Sequence, residues 1–558
     1  MSTTTTATSK QTIIEHVSWL PLVVIVLAQL QMAFNVNALP VSIGPIAADL
    51  DAPATAISTA LVYYSLFVAA FVMLGAKLGK IIGERLVFQI SALVHGTSMA
   101  WMAVATDTAA MNYAQILSGI AAAALVPTLV VLIAASYQGK QQAQAFGILA
   151  SIPAVASGIA FVIAGYIATA LSWRYSFGLL AILSIVVFIL SFRLTKVPRT
   201  TGLKIDFIGV ILSAAAIAFI LIGFNNLNYW GFLWATPNAP FNLLGLSPVP
   251  FFIIFGIVLG HSFFRWSHRR VAAKKTPLLA LEVLDSSEEK NTVLAFLVAG
   301  ALGTAVSFLI PLYIQFVQGQ TPLFTSVAIV PYTLVVALAA ILSVRLYDRF
   351  VPRVLGIICF ILVAAGSVFV GFSIANEWGT PLVILGLLIL GLGEGTMLTL
   401  LFNVLVSSSP KKFAGDVGAL RGVANNVSSA LGAAFAGVVA VGLLGVAVTS
   451  LFNQSGLPQS LRTEFNFDAV DFVTNAQLKE RLGETSVTSE QVAEAIRINE
   501  EARLRSLRAT FILIAAVSLL ALFPAAGLPK YAPGSVSAEE VVKEETLDFQ
   551  DSKTANAA

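Results

Sequence analysis

Fourteen runs of mostly apolar residues recur along the chain, at 18–39, 56–76, 86–106, 111–135, 144–170, 174–194, 205–225, 249–267, 292–317, 323–344, 353–375, 380–406, 417–449 and 510–529. A helix needs about 20 such residues to cross the ~30 Å hydrocarbon core of a bilayer, whereas a tilted barrel strand needs only ~9–11. In hydrocarbon every backbone N–H and C=O must be satisfied within its own segment, so these runs are helices. Composition agrees. Only 11% of the 558 residues are charged and mean hydropathy is +0.87, against ~25% charged in soluble domains. The chain reads as an all-α polytopic membrane protein. The thirteenth run is long and is expected to break or tilt.

Lys and Arg placement sets orientation. With the N-terminus in the cytoplasm and spans alternating, 24 of the 32 Lys and Arg fall on the inside. The rest are Arg174 and seven residues in one long segment, 450–509, where charge carries little topological weight. An even span count returns the C-terminus to the cytoplasm. The N-terminal segment 1–17 is Ser/Thr-rich and reads as cytoplasmic, with no cleavable signal. In 450–509, Thr488 and Gln491 have capping-box spacing, which predicts a helix over 490–508 running into the last span. The acidic tail 530–558 reads as disordered. A net charge of +3 excludes a nucleic-acid footprint, and Cys359 stands alone, so no intrachain disulfide forms.

Several strings occur in a telling order: Asn37-Ala38-Leu39-Pro40 at the end of span 1, Tyr64 in span 2, Gly79-Lys80-Ile81-Ile82-Gly83-Glu84-Arg85 between spans 2 and 3, Ser172-Trp173-Arg174-Tyr175 opening span 6, Asp206-Phe207-Ile208-Gly209 opening span 7, Pro311-Leu312-Tyr313-Ile314-Gln315 in span 9, and Tyr347-Asp348-Arg349-Phe350-Val351-Pro352-Arg353 between spans 10 and 11. With fourteen spans, this chain resembles the major facilitator superfamily, in its fourteen-helix drug:proton antiporter branch. The resemblance implies a six-helix bundle over 18–194, two inserted helices over 205–267, a cytoplasmic connector over 268–291 and a second six-helix bundle over 292–529. Spans 1, 4, 9 and 12 would line a central cavity. It also implies alternating access, with Lys80, Arg85, Asp348, Arg349 and Arg353 in the gating loops.

The departures from that family pattern carry information. Gln31 stands where span 1 usually has an acid, and Gln115 where span 4 usually has an Arg. Lys80 replaces a loop Asp, and Ala160-Phe161 and Ala164-Gly165 replace the span 5 antiporter motif. Gln takes up no proton at physiological pH, so the family's usual proton route is missing from the first half.

Glu394 is the one carboxylate in the middle of a span, within Gly391-Leu392-Gly393-Glu394-Gly395. Intramembrane acids face a cavity or a partner and are functional by default, so Glu394 is the first proton-coupling candidate. The alternative is a neutral Glu that hydrogen-bonds between helices. His95, in the middle of span 3, is the second candidate, and a structural hydrogen bond is its simpler reading. Gln31 and Asn35 are spaced i,i+4, Gln115 and Ser118 i,i+3. Ser307, Pro311 and Gln318 share a stripe of span 9 with Gln315 beside it, and Asn425 and Asn426 lie in span 13. These polar residues either line a substrate path or join helices, since buried polar groups need partners. Gly418 and Gly422 are expected to pack closely against another helix.

The chain has no Walker-type loop, no His-Glu-x-x-His and no Cys cluster. It reads as a non-enzyme without cofactor or metal. The expected function is secondary export of small organic or amphiphilic solutes across the plasma membrane of a bacterium, by a monomer. Its expected partners are a small-molecule substrate of amphiphilic or cationic character, membrane lipid and protons. The alternatives are an uncoupled or differently coupled facilitator, a transporter-like sensor or assembly protein motivated by 450–509, and lipid movement.

Overall fold

The computed structural model describes residues 18–200, 204–279, 281–284, 286–346, 349–377, 381–407, 414–455, 457, 472–483 and 488–531. The expectations for 1–17, for Asp348 and for the tail beyond Tyr531 lie outside the described residues.

Each apolar run is a helix: α1 Leu20–Val41, α2 Ala54–Ile82, α3 Glu84–Ala103, α4 Thr108–Ser136, α5 Gly139–Ala170, α6 Trp173–Leu190, α7 Phe207–Asn225, α8 Pro248–Ala272, α9 Ser287–Leu312, α10 Pro322–Ser343, α11 Pro352–Ser373, α12 Pro381–Ser407, α13 Ala414–Gln454 and α14 Ser489–Leu520. Thirteen are individually long and apolar enough to cross a bilayer, and Val155–Ala170 within α5 adds a shorter apolar helix. The boundaries have local causes. Asp107 and Asp206 accept from Ala110 N and Gly209 N at the starts of α4 and α7, which satisfies backbone donors that a helix start leaves open. Ser286 with Glu289, and Thr488 with Gln491, form capping boxes at the starts of α9 and α14. The second of these is the one anticipated from spacing.

Burial runs along the seams between helices. In the first half α2 packs on α4, α3 on α4 and α6, and α1 on α5; in the second, α11 packs on α12 and α14, α10 on α12, and α9 on α13. The broadest contacts between the halves are α2 on α13 and α5 on α10, and α7 lies over the α2–α13 seam with α8 outside it. The outward surface is apolar, with Ile211 66% and Ile254 60% exposed, as expected of residues facing lipid.

Three expectations need correction, and one is met. Helix α13 does not break over its 41 residues. In the segment 450–509 the helix expected over 490–508 is present as the start of α14, from Ser489, and among the described residues it is joined by the end of α13, to Gln454, and by a short helix over Asn475–Gly483. Within it Arg503, 1% exposed, donates to Phe316 O at 2.5 Å, Val473 O at 2.7 Å and Asn475 Oδ1 at 2.7 Å. It thus ties the segment over the end of α9. After Pro311, α9 gives way to a wider π turn over Tyr313–Val317. That turn rotates the chain, so Gln315 and Gln318 leave the stripe of Ser307 and Pro311. Finally, a Cβ at Gly418 would meet nothing within 4 Å, whereas one at Gly422 would lie 3.2 Å from Val72. Close packing is confined to Gly422.

Candidate functional site

The glycines of α12 face two neighbours. A Cβ at Gly391 would lie 3.2 Å from Tyr332 O, and one at Gly395 would lie 2.1 Å from Val336 O, both on α10. One at Gly393 would lie 2.7 Å from Cys359 O on α11. With those faces used for close packing, Glu394 is left pointing at α9. There it covers Gly303, where a Cβ would lie 2.2 Å from Glu394 Oε1. Any larger residue at 303 would displace the carboxyl.

The Tyr332 hydroxyl donates to Glu394 Oε2, and the Ser307 side chain hydrogen-bonds Tyr332 in turn. A small cavity opens beside the carboxyl between α9, α11 and α12, walled by Leu302, Gly303, Phe360, Val363 and Met397. Glu394 is half-buried. It is a carboxyl held by a neutral donor, with apolar walls beside it. Such a group can exchange a proton or attract a cation without a competing fixed positive charge.

The first-half candidates form two hydrogen-bonded groups apart from Glu394. Asn35 Nδ2 donates to Gln115 Oε1 at 2.9 Å and Gln115 Nε2 returns a bond to Asn35 Oδ1 at 3.1 Å. Ser118 Oγ lies 3.5 Å from Asn35 Nδ2. Ser184 Oγ on α6 donates to Gln31 Oε1 at 2.9 Å and lies 3.3 Å from His95 Nδ1. Gln31, Asn35, His95, Gln115 and Ser118 are all fully buried. In this conformation they join α1, α3, α4 and α6 to one another and line no opening. Gln31 Nε2 and His95 Nε2 are buried without a hydrogen-bond partner.

The remaining candidates scatter. Gln315 accepts from Gly44 N and donates to Val41 O, each at 2.8 Å, and so joins α9 to the end of α1. Gln318 donates to Tyr313 OH at 2.8 Å. Asn425 is exposed, and Asn426 donates to Gly422 O at 2.8 Å within its own helix. Arg85 donates to Phe192 O at 2.8 Å and Leu194 O at 3.2 Å, while Lys80 O accepts from Thr200 N at 2.8 Å. Both residues therefore hold the linker after α6. Arg349 is exposed, and Arg353 N donates to Pro529 O at 3.2 Å. Arg421 lies in α13 with its guanidinium 3.8 Å from the Phe402 ring centroid.

Sequence reasoning missed Tyr332, Gly303 and Ser184. A hydroxyl or a glycine inside an apolar run looks like any other. The nearest signal is Glu394 itself, which requires some donor on a neighbouring helix. Glu84, in the loop between spans 2 and 3, Asp206, opening span 7, and Glu289, in the connector, are buried to 3%, 4% and 4% exposure. Asp206 and Glu289 are explained by their capping bonds.

The sequence model of the Major Facilitator Superfamily matches residues 25–433. The chain belongs to that family. It is therefore a multi-pass membrane protein of a transporter family, and relatives of bacterial efflux type fit the plasma membrane. The puromycin resistance protein pur8 of Streptomyces alboniger is 26% identical over 436 residues, covering 76% of this chain and 82% of that one. The tetracenomycin C resistance and export protein of Streptomyces glaucescens is 22% identical, covering 79% of each. The multidrug efflux pump LfrA of Mycolicibacterium smegmatis is 24% identical, covering 79% and 84%. Among solved structures, a bacterial homolog of the human lysosomal transporter Spinster, inward-facing and occupied, superposes with a TM-score of 0.60 at 15% identity over 90% of this chain and 96% of that one. The peptide transporter POT in complex with sulfate gives 0.56 at 15% identity, over 93% and 97%. These likenesses concern the fold.

Proposed function

We propose that this chain is a secondary active exporter of small amphiphilic organic solutes, and that Glu394 carries the coupling proton. The observation that carries the reading is the Glu394 carboxyl, held by Tyr332 at the junction of α9, α10 and α12 with an apolar cavity beside it. The same pocket chemistry suits an amphiphilic cation. The carboxylate would balance its charge, and proton and substrate would compete for one oxygen; the cavity as it stands is about the size of one water, so the substrate's body would enter only as the helices around it part. The names of the tetracenomycin C resistance and export protein and of the multidrug efflux pump LfrA support export as the direction.

The halves are joined near the ends where α1 and α5 finish and α2 and α10 begin. Besides Gln315, Ser58 Oγ donates to Ala433 O at 2.6 Å, Leu323 N donates to Thr169 Oγ1 at 3.0 Å, and Ser326 Oγ donates to Phe161 O at 2.5 Å. With both termini cytoplasmic and the bundles at 18–194 and 292–529, this joined end is the extracytoplasmic one. Export then requires those bonds to break while the opposite end closes.

The deciding experiment uses purified protein in liposomes loaded with a pH-sensitive dye. Puromycin is the first probe and Glu394→Gln the control. Substrate-driven proton movement that disappears in the variant is the expected result. Substrate flux without proton movement in the wild type would remove the coupling role. It would favour an uncoupled facilitator, a reading supported by the neutral groups around Gln31 and Gln115.

A further inference from the structure

Helix α8 seats one face on α7. A Cβ at Gly256 would lie 2.7 Å from Ile220 Cγ1 and 2.9 Å from Ala216 O, and Phe263 and Ser267 on the same side are buried. Its rotation is fixed at the far end by Asp206. That carboxylate accepts from Trp266 Nε1 at 2.9 Å and pairs with Arg270 Nε at 3.3 Å.

With those two residues turned inward, the opposite face presents Ile254, Ile257, Val258, His261, Phe264, Arg265 and His268. Ile254 is 60%, Ile257 58% and Val258 53% exposed, and His261, Arg265 and His268 are exposed as well. At 100° per residue these positions form one stripe. It is apolar over its first half and cationic or titratable over its second. His261 lies about 16 Å before the end of the helix at 1.5 Å per residue, so the polar part begins within membrane depth. Arg269, Lys274 and Lys275 continue it beyond. Among the described residues, no acidic side chain pairs with His261, Arg265, His268 or Arg269.

Ionisable groups at this depth need a partner. We infer that this face of α8 binds an anionic phospholipid, with the phosphate against Arg265 and His268 and an acyl chain along Ile254, Ile257 and Val258. Charge complementarity decides the occupant. A second copy related by a two-fold axis normal to the membrane would set the cationic stripe against itself. A zwitterionic headgroup would bring a cation of its own to Arg265. Basic groups at the membrane end of a helix are the chemistry that selects anionic headgroups.

The test uses the full-length protein in detergent and its thermal unfolding with added phosphatidylglycerol, phosphatidylcholine of the same chains, or inorganic phosphate. The test variant is Arg265→Gln with His268→Gln. The control is Arg193→Gln with Lys196→Gln, which removes exposed basic residues after α6. The expected result is a rise in Tm with phosphatidylglycerol beyond that with phosphatidylcholine, kept in the control pair and lost in the α8 pair. Equal shifts with both lipids, a shift that survives in the α8 pair, or one lost equally in the control pair would overturn the site. A matching shift with inorganic phosphate would make it a small-anion site and overturn the lipid assignment. Should the α8 pair not fold, Arg265→Gln alone, read by phosphatidylglycerol retained after delipidation, gives the same decision: loss supports the site and full retention overturns it.

Discussion

At the residue scale, the Tyr332 hydroxyl and the Glu394 carboxyl form a pair that either change would break differently. Tyr332→Phe keeps the ring that packs beside Gly391 but removes the donor to Glu394 Oε2. A hydrogen bond to a charged group contributes about 1.5–3 kcal/mol, so substrate-driven proton movement should fall about tenfold or more with expression unchanged. Wild-type rates in the dye-loaded liposomes would detach Tyr332 from coupling. The Asn35–Gln115 pair makes a stability prediction instead. Asn35→Leu leaves Gln115 buried without its reciprocal partner, at a cost of about 1–3 kcal/mol. Asn35→Leu with Gln115→Leu should cost less than the two single changes summed. Thermal unfolding of the four proteins checks this, and additive losses would mean the amides do not act as a pair. The residue types and helix faces of these first-half groups are legible from i,i+4 and i,i+3 spacing. The pairing itself is not, because Asn35 and Gln115 meet across 80 residues of chain.

At the element scale, apolar run length located all fourteen helices, thirteen of them individually long and apolar enough to cross a bilayer, because lipid imposes one requirement on each. What it missed lies where backbone geometry departs from the regular helix or where a neighbour decides. The π turn after Pro311 moved Gln315 away from the stripe of Ser307 and toward Val41 and Gly44. Hydropathy has no term for that rotation. The glycines make the same point. Gly395 and Gly418 look alike in sequence, yet a Cβ at the first would sit 2.1 Å from the backbone oxygen of Val336, and one at the second would meet nothing within 4 Å. Gly395→Ala should therefore push α12 from α10, cost about 1–3 kcal/mol and disturb the seat of Glu394. Gly418→Ala should be neutral or stabilising by up to ~1 kcal/mol from helix propensity. Melting temperatures of the two variants, measured together, check the contrast. Equal effects would mean that α12 and α10 do not approach as closely as described.

At the scale of the whole molecule, alternating access requires the joined ends of the two halves to separate during each cycle. Ser58 on α2 and Gly437 on α13 sit at that join, where a Cβ at 437 would lie 3.3 Å from Ser58 Cβ. Disulfides require Cβ atoms about 3.5–4.5 Å apart, so a small adjustment lets Ser58→Cys and Gly437→Cys bridge. The native Cys359 is buried in α11 and offers no competing surface thiol. Oxidation of this double variant should arrest substrate movement in liposomes, and a reductant should restore it. Each single variant should be insensitive to both treatments. The logic is that a covalent tie across the closed end forbids the other half of the cycle whatever the substrate or coupling ion. Full transport with the disulfide formed, as judged by gel mobility, would mean that α2 and α13 stay together throughout. The moving seam would then lie elsewhere, with α5 and α10 the next pair to tie.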